Sequence, residues 1–319
     1  MNHLEASFTG KNAFWRYFFM LAAVLAASNT IGAIPLFIIL GIKAAENPEI
    51  SAELSANPND LSPLGLNPYI GLIVMLIPFI VGLAAFVLLI RPLNGRTLMN
   101  VINGTGSFRW RNYFVSAAVW IILSAIYLFG YLKAEPSNFS LNNSTLSLII
   151  LVIISVTLIP FQAAWEEIIF RGYLMQGFAV LLRNRWLPLI ITSVLFALMH
   201  WPNPEVKEFG FLTMMPYYTI FGLIFGIMTL LDDGIEAAMG AHAANNVFLC
   251  VLVTNEFSAL QTPALYEMHE MDPSVEFISM LITGVLVILI LKIALGWRNY
   301  FSLLAGKVGP DTGEPSQIS

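Results

Sequence analysis

The chain has 319 residues, of which 57% are hydrophobic and 11% charged, with a formal net charge of −5 and a mean hydropathy of +0.76; a soluble domain carries about a quarter charged residues. Water is thereby excluded as the main solvent, and the acidic balance leaves no basic face for nucleic acid. A single cysteine, Cys250, excludes an intrachain disulfide and sits in an apolar run as core filler.

A helix that crosses a hydrocarbon core of about 30 Å needs roughly 20 apolar residues. In lipid, backbone polar groups must be satisfied within the segment or in a closed barrel, and the alternating pattern of barrel strands is missing here. The expected class is therefore all-α, a polytopic membrane helical bundle of about eight transmembrane helices. In chain order the spans fall at about 14–42, 69–90, 113–132, 146–174, 187–202, 211–231, 237–254 and 275–296. The opening MNHLEASFTGKNAFW lacks the basic-then-apolar pattern of a cleaved signal, so the first span is expected to stay. Ser28, Asn29, Thr30 and Pro35 interrupt that span, and Pro160 is expected to break the fourth. With no long-period repeat, the expectation is a single membrane domain over 1–319. The loop at 43–68 and the tail at 310–319 are polar and expected to be mobile.

Basic residues are retained on the cytoplasmic side of membrane proteins. With both termini inside, that side holds Lys11, Arg16, Arg91, Arg96, Arg109, Arg111, Arg171, Arg183, Arg185, Lys292, Arg298 and Lys307, and the other holds only Lys43, Lys133 and Lys207. Both termini are therefore expected to be cytoplasmic.

Charged residues inside a span are costly and face a bundle interior or a cavity, which makes them functional candidates. In AAWEEIIFRG, Glu167 and Arg171 are four apart and share a helix face, while Glu166 is turned about 100° away. One carboxylate can neutralise the arginine and leave the other free. FALMH places Phe196 and His200 four apart, and HAANN does the same for His242 and Asn246. Measured from the basic helix ends, Glu166, His200 and His242 lie about 12, 18 and 9 Å deep, so the three can converge, with the opening expected toward the cytoplasm. Two histidines and a free carboxylate can activate a water by holding a metal or by acid–base chemistry, and an amide can stabilise an oxyanion.

These three segments, in this order and on separate apolar helices, resemble the intramembrane peptidases that include the CAAX prenyl protease Rce1 and the bacterial CPBP (Abi) proteins, whose pattern is E-E-x-x-x-R, F-x-x-x-H and H-x-x-x-N or D. The match covers Glu166 to Asn246, inside a peptidase core at about 145–255. The resemblance implies an Rce1-like eight-helix fold and a membrane endopeptidase, in a bacterial cytoplasmic membrane. It implies Glu166 as general base, His200 as a ligand of the water or metal, His242 with Asn246 as metal or oxyanion site, and Glu167 with Arg171 as supports. Zn2+ held by Glu166, His200 and His242 is the cofactor it suggests, with metal-free acid–base chemistry open beside it. The partners it implies are a membrane-associated peptide or protein substrate and the lipid bilayer, without nucleic acid.

Other readings of the same residues are a proton- or ion-coupled transporter and a non-catalytic membrane partner in immunity or secretion. Glu167 with Arg171 reads equally as a helix-fixing ion pair. Asn245 competes with Asn246 as the functional amide. His3 and His269 sit in terminal and loop contexts with no expected chemistry.

Overall fold

A computed structural model describes residues 2–47, 49–50, 64–142, 145–298, 304 and 306–310. Most of the loop expected to be mobile, at 51–63, and the tail at 311–319 lie outside the described residues.

The first predicted span forms two helices, α1 (Phe14–Asn29) and α2 (Ile34–Glu46), joined where Ser28 to Thr30 interrupt the apolar run. Pro35 lies in the first turn of α2, where its missing N–H costs nothing. Helix α3 (Pro68–Asn94) starts on Asn67, whose side chain accepts from the Tyr69 N–H. It stops at Gly95, which takes the left-handed conformation (φ 67°) that glycine tolerates without strain. A short α4 (Leu98–Ile102) and the long α5 (Trp110–Ala134) follow.

The fourth span differs from expectation in an informative way. Helix α6 (Thr145–Glu167) runs through Pro160 unbroken. The irregularity falls just after the paired glutamates, where Ile168–Leu174 winds as a π-helix before α7 (Met175–Leu182) resumes. Together they make one apolar helical stretch, Leu146–Leu182, of 37 residues. A proline in a membrane helix need not end it, because neighbouring helices re-satisfy the freed backbone groups.

Next come α8 (Trp186–Met199), the short α9 (Pro204–Phe209), α10 (Phe211–Asp232), α11 (Glu236–Leu252) and α12 (Pro273–Ala294). Helices therefore stand at all eight predicted positions. Among the described residues six helical stretches are long and apolar enough to cross a membrane, so the protein is an integral, multi-pass helical membrane protein. The exceptions are α8 and α11, with 14 and 17 residues. Helix α11 is packed against α5, α6 and α10. Enclosed by protein, it needs no full-length lipid-facing surface.

Small residues allow that enclosure. Ala237, Ala238, Gly240, Ala241, Ala243 and Ala244 are all buried on α11. A Cβ on Gly240 would stand 2.0 Å from the Tyr113 carbonyl oxygen on α5, so only glycine permits this approach.

The two ends of the bundle differ. At one end Lys11 N–H donates to the Asn94 carbonyl, Arg111 to that of Ala294, and Val308 N–H to that of Arg183. The helix ends carrying the basic residues thus meet at one end of the molecule. At the other end the connections form a small sheet that the sequence reading did not anticipate. Its strands are β1 (Phe139–Leu141), β2 (Val253–Thr254) and β3 (Tyr266–Met268), in the order β1-β3-β2. The first pair is antiparallel, with Phe139 opposite Met268, and the second parallel, with Val253 opposite Tyr266.

Candidate active site

Glu166 and Glu167 occupy the last α-helical turn of α6, directly before the π-helical segment, a feature that recurs at functional sites. Their residues are only 4% and 0% exposed. Arg171, fully buried, donates from Nη1 to Glu167 Oε1 at 2.9 Å and from Nη2 to the Gly222 carbonyl on α10 at 3.3 Å. The expected division between the carboxylates holds, since Arg171 pairs with Glu167 and not with Glu166. Gly222 is the close-approach point for this contact, because a Cβ there would come within 2.9 Å of the Ser193 backbone on α8.

His242, on the α11 face toward α6, links the two carboxylates. Its Nδ1 lies 2.7 Å from Glu167 Oε1 and its Nε2 lies 3.6 Å from Glu166 Oε2. A carboxylate can only accept, so Nδ1 carries the proton and Nε2 presents a lone pair to Glu166. Glu166 Oε2 is buried without a hydrogen-bond partner. Two acceptors that face each other at this separation leave a place for a proton, a water or a cation.

His200 caps the end of α8 and lines the same cavity as Glu166 and His242. Its Nδ1 donates to the Phe196 carbonyl at 2.8 Å, which leaves Nε2 as the open acceptor. The ring stacks on Tyr218 at 4.3 Å. Phe196 has a second role, which the sequence reading passed over: the Arg171 guanidinium lies over its ring at 4.2 Å, a cation–π contact inside the core. Its ring also packs edge-on to His242 at 6.2 Å. Phe225 stacks on the other part of that imidazole at 5.1 Å.

Asn246 donates to Gln162 Oε1 at 2.9 Å, and Gln162 in turn donates to Glu166 Oε1 at 2.5 Å. Gln162 is a site residue that the sequence reading missed, although its position one helical turn before Glu166 was the available signal. Asn245 accepts from the Trp120 indole at 3.1 Å and donates to Asn246 Oδ1 at 3.0 Å. Asn245 therefore anchors to α5, and Asn246 contacts α6. Both amides line the cavity.

The cavity has a volume of about 470 Å³. Its wall runs from Glu166 along Ser124 and Tyr131 of α5, past Met214 of α10, to Phe139 and Met268 of the sheet. It therefore extends toward the sheet end and away from the arginine end. The sequence reading expected the opening at the arginine end because it measured depth from there; depth alone does not tell which way a buried group faces.

The donor chemistry suits zinc in part. Both imidazoles present Nε2 and donate Nδ1–H to a carboxylate or carbonyl, as metal-binding histidines do. Tetrahedral ligands at about 2.0–2.1 Å stand roughly 3.3 Å from each other, close to the Glu166–His242 gap of 3.6 Å. Among the described residues, however, no three His, Cys, Asp or Glu side chains are gathered as a metal site. The expected set of Glu166, His200 and His242 therefore does not close as a three-ligand centre.

His3, for which no chemistry is expected, has a structural place that its terminal position does not announce. It is 1% exposed, and its Nε2 lies 3.0 Å from the Arg171 carbonyl in the π-helical segment. Gln176 donates to the His3 carbonyl at 2.7 Å, and the His3 N–H donates to Asp233 at 2.8 Å. The N-terminal segment is thus tied directly to the π-helical segment that follows the paired glutamates.

A polytopic helical membrane protein with a buried glutamate–histidine pair at the head of an internal cavity is the class these features define. Residues 143–248 match the family described as type II CAAX prenyl endopeptidase Rce1-like. A Bacillus subtilis (strain 168) protein, "Uncharacterized protein YyaK", is 28% identical over 276 residues, covering 86% of this chain and 89% of that protein. No solved structure matches the chain.

Proposed function

We propose that the protein is an intramembrane endopeptidase in which Glu166 is the general base for a water held against His242. The observation that carries this reading is the pair of open acceptors, Glu166 Oε2 and His242 Nε2, at 3.6 Å on the wall of one cavity. A water on the cavity side donates one hydrogen to each. Glu166 takes a proton as the water oxygen bonds to the peptide carbonyl carbon. The carbonyl oxygen gains the negative charge and accepts from Asn246 Nδ2, whose other N–H is already aimed by Gln162. As the C–N bond breaks, Glu166 returns its proton to the leaving amine. His200 Nε2, an open acceptor on the same wall, orients substrate N–H or a second water. Glu167 fixes the His242 tautomer, and Arg171 holds Glu167 in place. No step requires a metal.

Glu166→Gln should abolish cleavage of a peptide library by detergent-purified protein while leaving its unfolding midpoint unchanged; full activity would sink the proposal. Metal analysis of the wild type alongside Glu166→Gln and His200→Ala separates the two chemistries. The acid–base reading expects retained activity without stoichiometric zinc. A stoichiometric metal lost in both variants, together with loss of activity, would replace it with a metal-activated water.

A further inference from the structure

The cavity wall carries two carboxylates besides Glu166 that the proposed hydrolysis does not use. Glu205 lies on α9 and Glu276 in the first turn of α12. Glu205 Oε1 accepts from the Tyr218 hydroxyl and, at 3.2 Å, from Asn203. Its second oxygen, Oε2, is buried and has no hydrogen-bond partner. Glu276 Oε1 accepts from the Tyr127 hydroxyl at 3.0 Å. Tyr217 and His200 line the same cavity as both carboxylates, and its wall continues to Phe139 and Met268 at the sheet end.

The field in that region is uncompensated. The cavity lining contains no lysine or arginine, and among the described residues neither Glu205 nor Glu276 has an ion-pair partner. Both side chains are half-buried, and Glu205 Oε2 is the buried oxygen left without a partner; a buried polar atom is ordinarily paired or holds a metal. Here no metal cluster is formed among the described residues, and the surrounding wall, with Tyr127, Tyr131, Tyr217 and Phe139, is aromatic. Carboxylates at the end of an aromatic and apolar passage match a long side chain with a hydrocarbon stem and a cationic head.

We infer that Glu205 and Glu276 form a subsite for a lysine or arginine side chain of the peptide, which enters from the sheet end. The inference rests on the peptidase reading for its substrate, yet it can be tested separately from hydrolysis. Fluorescent-labelled peptides of apolar sequence, identical except for one central Lys or norleucine, are titrated against the Glu166→Gln variant in detergent. The lysine peptide should bind about tenfold tighter or better. Glu205→Gln and Glu276→Gln, each added to that background, should each remove most of the difference while leaving the norleucine peptide unaffected. Equal affinity for the two peptides, or a preference that survives both replacements, overturns the subsite. The same peptides are then offered to the wild type. Selective binding without cleavage would sink the peptidase reading and keep the subsite; cleavage without selectivity would do the reverse.

Discussion

Buried carboxylates at the arginine end and in the cavity meet the cost of burial in opposite ways. At the arginine end, Asp232 and Glu236 both pair with Arg109, at 3.0 and 2.5 Å. Their remaining oxygens accept from Asn112, Asn103 and the Trp297 indole. In the cavity, Glu166 and Glu205 each keep a buried oxygen without a partner. The first arrangement fastens α5, α10, α11 and the chain after α12 to one another. The second leaves an oxygen unpaired on two residues that line the cavity. In a membrane protein the presence of a carboxylate inside a span does not by itself distinguish these roles.

Replacement of one member from each region tests that contrast most strongly. Glu166→Gln should lower kcat by about 10²–10⁴, the usual contribution of a positioned base, without a change in the unfolding midpoint. Arg109→Ala should do the opposite. It strands two nearly unexposed carboxylates, and loss of one partner of a buried pair costs about 3–5 kcal/mol; because the Arg109 side chain is 28% exposed, about 2–3 kcal/mol is expected. That loss should be read in the midpoint of chemical unfolding in detergent, with kcat of the folded fraction retained. An Arg109 variant that folds normally but is inactive would erase the distinction between the two ends.

A smaller effect is expected at Asn246. Its Nδ2 serves both Gln162 and the proposed oxyanion, so Asn246→Ala should reduce kcat by about 10²-fold with KM little changed. Asn245→Ala, which removes the Trp120 anchor, should mainly affect stability. If the two variants exchange these phenotypes, the amide roles are reversed.

The sequence made these roles legible to different degrees, for physical reasons. Helical phase was enough to separate Glu166 from Glu167, because the i,i+4 relation to Arg171 is local. The same local rule was available for Gln162 and was not applied. Phe196 was legible as a spacing but not as a cation–π partner, since Arg171 reaches it from another helix. The π-helical segment left no mark that separates it from ordinary helix, whereas Pro160 left a strong mark that neighbouring packing overrode. The direction of the cavity depends on which ends of eight helices line it, which no single segment encodes. The sheet depends on a pairing between residues more than a hundred positions apart.

His3 gives the smallest effect and the one most dependent on pH. Burial, the largest influence, holds its pKa below the usual histidine value; the Arg171 carbonyl, Asp233 and Glu236 oppose that shift, and Arg109 reinforces it. Neutral imidazole fits the contacts, with Nε2–H donating to the Arg171 carbonyl and Nδ1 facing the Gln176 amide group at 3.5 Å. Protonation would turn Nδ1–H against that donor. Because the folded pKa lies below the unfolded one, the contribution of His3 is fully present above the unfolded value of about 6.5 and is lost as pH falls through and below it. Relative to His3→Gln, which keeps a side-chain donor but does not titrate, the wild type should lose about 1 kcal/mol between pH 7.5 and pH 5. Parallel pH profiles would show that the N-terminal segment is not seated by a neutral imidazole. Loss of activity together with stability would tie the seat of His3 to the position of Arg171, and so carry the influence of the arginine end into the catalytic pair.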